Sequence, residues 1–147
     1  MNRTREQIAK YSKAKPAKPF FLAYGAHRPH LPWNIPRHFW DLYSTDAIAL
    51  PLHESAPVGM PPIAFTYELD GKTTLNSLGT TAPIPYPNAS TALPHNMTRS
   101  FRRGYYAAVS WTDYLIGQLL DALDDANVAS STVVALIGDH GWQLGEQ

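Results

Sequence analysis

The chain has 147 residues and a formal net charge of zero, which by length is about one domain. Its 44% hydrophobic and 16% charged residues belong to a folding chain, and its Lys and Arg form no broad basic face of the kind nucleic-acid binding requires. No apolar run approaches the roughly 18 residues of a membrane span, the first residues form no apolar signal-peptide core, and the absence of cysteine excludes disulfides and a thiol nucleophile.

Residues 3–14 have a helix-compatible composition, with Glu6 and Lys10 placed to pair at i,i+4, and Pro16 and Pro19 then stop the helix. Phe20, Phe21, Leu22, Ala23 and Tyr24 form a short apolar run ending at Gly25, the pattern of a strand buried on both faces of a parallel sheet. The loop Ala26-His27-Arg28-Pro29-His30-Leu31-Pro32-Trp33 follows. Open α/β folds place their ligands at such carboxyl ends of strands. Residues 34–43 fit a short helix carrying Phe39, Trp40 and Leu42.

Eight of the thirteen prolines fall in 44–96, so this stretch reads as a long loop insertion over a surface. In 98–127, Phe101, Tyr105, Ala108, Thr112, Leu115, Leu119, Ala122 and Ala126 recur at spacings of three and four, which predicts an amphipathic helix. Val109, Ile116, Leu120 and Leu123 widen its apolar stripe, and Gly104 and Gly117 are placed for close approach to a neighbour. A second buried strand is expected over 132–137, ending at Gly138-Asp139-His140-Gly141-Trp142. Two buried strands joined through a helix make an α/β pattern with a mostly parallel sheet between helices, and two strands alone leave that sheet incomplete.

Both apolar runs end in a histidine-bearing loop, so His27 and the pair Asp139-His140 are expected on one edge of the sheet. A carboxylate and an imidazole suit a divalent-metal shell completed elsewhere, or a simple strand-end turn; two donors fall short of the roughly six to eight oxygens calcium takes. His27 and His30 are open to three readings: metal binding, anion binding, or hydrogen bonding to loop backbone. His38, His53 and His95 read as surface or loop residues, and Trp33, Trp40 and Trp111 as packing aromatics. Glycosylation sequons occur at Asn2, Asn88 and Asn96, the latter two in the Pro-rich loop.

Taken in order, Pro19 through His30, the helix segment Tyr105 to Asp113 with Gly117, and the strand with its Asp139-His140-Gly141 turn resemble the type I sulfatases. The Asp-His pair, where many members carry Asp-Asn, and the following Trp142-Gln143-Leu144-Gly145-Glu146 narrow the branch. The resemblance implies the alkaline-phosphatase-like α/β sandwich, with residues 1–147 an internal portion of one catalytic domain. It implies that Asp139 and His140 ligate calcium, that His27 contacts the sulfate and assists turnover, and that His30 lies beside the substrate. The implied activity is hydrolysis of sulfate esters of sugars or glycosaminoglycans, in a lysosomal or secreted protein. The family's nucleophile is a formylglycine made within C/S-x-P-x-R, and no such motif occurs here. The chain alone is therefore expected to be inactive, its missing partner being the remainder of the domain. A phosphodiesterase or phosphonate hydrolase of the same superfamily, and a non-catalytic truncated binding protein, are the alternatives.

Overall fold

The computed structural model describes residues 1–14, 18–61 and 92–146. Its frame is the long helix predicted from periodicity, preceded by shorter elements: α1 (Asn2–Ser12), α2 (Arg37–Trp40), a 3-10 turn at Thr45–Ala47, and then α3 (His95–Asp125). At 31 residues α3 is about 46 Å long. It starts three residues before the expected bound at 98 because Pro94 sets the entry; the Pro94 carbonyl accepts from the Met97 and Thr98 N–H groups at 2.8 and 3.0 Å. The helix ends on Asn127, whose φ of 56° turns the chain into the left-handed region. There the Asn127 N–H donates to Asp124 and the Val128 N–H to Leu123, closing the last carbonyls. Val128 then packs against the cluster of Ile8, Ala122 and Leu123.

Two apolar clusters sit at opposite ends of α3. Near its start Trp33, Phe101, Ala108 and Leu144 are buried together, with Leu31, Trp40 and Trp142 packed against them. Near its end Ile8 of α1 meets Ala122 and Leu123, with Phe20, Leu22 and Leu119 around them. The Glu6–Lys10 pair is not formed among the described residues; Arg5 reaches Asp125 across the helices instead, at 3.5 Å. Between the clusters the helix is more open than the wide stripe implied, with Val109 43% exposed. Arginines of α3 anchor the chain around α2. Arg103 donates to the Trp40 carbonyl at 2.9 Å and to Thr45 Oγ1 at 3.3 Å, and Arg99 donates to the Ile48 carbonyl at 3.1 Å. Tyr43 and Ser110 share a hydroxyl hydrogen bond of 2.6 Å.

The expected sheet is absent from the described residues, which contain helices and no strand. The runs 20–24 and 132–137 are not buried as read from sequence: Phe21 is 91% exposed, Val133 95% and Ile137 86%. A strand needs a neighbour to take its N–H and C=O groups, and a strand buried on both faces needs two covering layers. Among the described residues neither is provided for these runs. Residues 62–91, which hold most of the Pro-rich insertion and Asn88, lie outside the described residues.

Candidate active site

The loop after the first apolar run is held to α3 by Trp33. This side chain is 3% exposed, packs edge-on against Phe101 at 6.3 Å between centroids, and donates its indole N–H to the Pro29 carbonyl at 2.8 Å. Its ring lies over Gly104, where an added β-carbon would meet Cζ3 at 2.8 Å. The predicted close approach at Gly104 is therefore real, whereas Gly117 has nothing within 4 Å of such an atom. From the next turns of the helix, Thr112 donates its hydroxyl to the Arg28 carbonyl at 3.1 Å. These two hydrogen bonds and one buried ring fix the backbone on which His27 and His30 are mounted.

Three imidazoles come together on this frame. The rings of His27 and His30 lie 5.0 Å apart, and His30 meets His140 at 5.9 Å and Trp142 at 5.1 Å, both edge to face. One carbonyl organises the first two: Leu31 O accepts from His27 Nε2–H at 3.1 Å and from His30 Nδ1–H at 2.9 Å. A carbonyl only accepts, so these nitrogens carry the protons. In the neutral rings His27 Nδ1 and His30 Nε2 are then left as acceptors. His140 donates Nδ1–H to the Gly141 carbonyl at 3.2 Å, which leaves its Nε2 open in the same way. Backbone hydrogen bonding thus uses one nitrogen of each ring and leaves the other for chemistry. Leu144, buried against Trp33 and Phe101, ties the segment after His140 to α3. Gly145 permits that return at φ 95°, with its backbone against Thr98.

Asp139 and His140 are the donors that the metal reading names. Asp139 is exposed and makes no hydrogen bond or ion pair among the described residues, and His140 has one nitrogen uncommitted. These donors fit a divalent cation by type but not by number. Among the described residues no group of three or more His, Asp or Glu side chains is arranged to hold an ion. Of the other expected residues, Asn96 is exposed in the first turn of α3 and Asn2 is exposed at the start of α1. His95, read as a surface or loop residue, is exposed and lies 3.2 Å from Glu54. The guanidinium of Arg37, held above its ordinary pKa by the hydrogen bond to Asp41, lies at the surface. Trp142, Arg28 and Thr112 join the site without having been singled out for it. Only Arg28 carried a local signal, as the one fixed cation between the two histidines.

The whole chain, residues 1–147, matches the Sulfatase family model. The chain belongs to the sulfatase family. Human iduronate 2-sulfatase is 38% identical over 144 residues, covering 97% of this chain and 26% of that protein. A sulfatase of Formosa agariphila is 34% identical over 131 residues, covering 88% and 23%, and the choline-sulfatase of Rhizobium meliloti is 27% identical, covering 99% and 26%. The chain thus spans about a quarter of the length of these sulfatases. The family's alkaline-phosphatase-like α/β fold agrees with the apolar patterning of 20–24 and 132–137, although the described residues contain no strand. No helix among the described residues is long and apolar enough to cross a membrane.

Proposed function

We propose that this sulfatase-family chain is part of the catalytic domain of a sulfuric ester hydrolase, and that its histidine cluster forms one wall of the sulfate site. The observation that carries this reading is the meeting of the two loops, with His30 between His27 and His140. In hydrolysis of R–O–SO3 the S–O bond breaks and the departing alkoxide oxygen needs a proton. His27, its Nε2–H committed to Leu31, offers Nδ1 for that transfer when protonated. A positioned imidazole contributes about 10²- to 10⁴-fold in such a step. His30 Nε2 lies beside it to orient the ester. Asp139 and His140 would hold part of the shell of a calcium ion, which when bound supplies positive charge opposite the sulfate oxygens. The remaining ligands and the formylglycine nucleophile come from parts of the domain beyond these residues.

The substrate class is a sulfated carbohydrate, and the likeness to iduronate 2-sulfatase favours a sulfated uronate of a glycosaminoglycan. A lysosomal or secreted location accompanies that substrate, with Asn88 and Asn96 as glycan acceptors. The test uses the protein with a complete catalytic domain. It should hydrolyse a chromogenic sulfate ester, lose that activity to a calcium chelator and regain it with added calcium. Asp139→Asn should raise the calcium concentration needed for half activity by roughly tenfold or more. Turnover indifferent to chelation would remove the metal, and no turnover of any sulfate ester would remove the function.

A further inference from the structure

We propose that Arg28 is a substrate-binding residue which receives a second anionic group of the substrate, the carboxylate of a sulfated uronate; this rests on the sulfatase reading above. Four arginines are part-buried: Arg28, Arg99, Arg102 and Arg103. Three of them use their guanidinium groups within the described residues. Arg99 donates to Ile48, Arg103 to Trp40 and Thr45, and Arg102 to the Tyr106 hydroxyl at 3.3 Å. Arg102 Nη1 and Glu146 Oε2 lack a hydrogen bond, but they face each other at 4.0 Å. Arg28 differs. Its Nε is buried, and the guanidinium has neither a hydrogen bond nor a carboxylate among the described residues.

A buried donor without an acceptor is costly, and Arg cannot relieve the cost by losing its proton. The backbone that carries it is held firmly, because the Arg28 carbonyl accepts from Thr112 and the neighbouring residues are tied by Trp33 and Leu31. An always-charged fork on the residue that follows His27 in this loop suits a planar carboxylate, which it can grip through two parallel N–H donors. A tetrahedral sulfate addressed by the histidines leaves that fork free for the second anion. On a sulfated uronate the sugar carboxylate is such an anion; on the matching sulfated hexoside a neutral CH2OH stands in its place. Arg28 would therefore set preference between acidic and neutral sugars.

The experiment measures kcat and KM of the complete protein for a sulfated methyl uronide and for the matching sulfated methyl hexoside, in wild type, Arg28→Gln and Arg28→Lys. The uronide-over-hexoside ratio of kcat/KM should fall roughly 10- to 100-fold in Arg28→Gln, chiefly through KM. Arg28→Lys, which keeps the charge and loses the fork, should lie between. Hexoside turnover by the same preparation reports folding. A ratio unchanged in both variants overturns the proposal, as does parallel loss of both activities in Arg28→Lys, since either means that the guanidinium serves the fold. If wild type cleaves neither sulfate, the sulfatase reading fails and the proposal with it.

Discussion

At Gly104 the helix carries no side chain because the Trp33 ring occupies that space. Two effects compete in Gly104→Ala. Helix propensity favours Ala by about 1 kcal/mol, whereas forcing an extra carbon into a packed core costs about 1–3 kcal/mol. The ring is wedged against Phe101 and Leu144 and tethered through its N–H to Pro29, so it has little room to yield. Overpacking should win, with a net loss of up to about 2 kcal/mol in thermal unfolding of the complete protein. The same displacement shifts the loop bearing His27 and His30, so activity should fall further than stability alone explains. A variant as stable and active as wild type would mean that the ring moves aside freely.

The elements differ in how well they are supported. α3 is covered near both ends by buried side chains, while the apolar runs 20–24 and 132–137 expose Phe21, Val133 and Ile137. Exposed apolar runs of this length invite edge pairing and association. The 147-residue chain alone should therefore self-associate with rising concentration in sedimentation velocity, and Val133→Lys with Ile137→Lys should reduce it. A wild-type chain monomeric throughout the concentration series would contradict this. The contrast also shows what a sequence makes legible. α3 was readable because Phe101, Ala108 and Leu123 repeat at helical spacing within one segment. The sheet was readable only as an appetite for burial, since its partners are non-local. In the site, His27 and His140 were found because each follows an apolar run. Thr112 was not, because its bond to Arg28 spans 84 residues and leaves no local pattern.

For the molecule as a whole, one helix brings together two loops that are distant in sequence. Trp33 fixes the first loop and Leu144 the second, and His30 meets His140 between them. The chain accounts for about a quarter of the length of its relatives, and in the proposed function this cluster forms one wall of the sulfate site. In that proposal His27 works on a sulfate ester. The most direct measurement compares hydrolysis of a chromogenic sulfate ester and its phosphate counterpart by the complete protein, wild type beside His27→Gln. The sulfate ester should be strongly preferred, and His27→Gln should lower its kcat about 100-fold or more. Preference for phosphate, or a His27→Gln enzyme as fast as wild type on sulfate, would contradict the account.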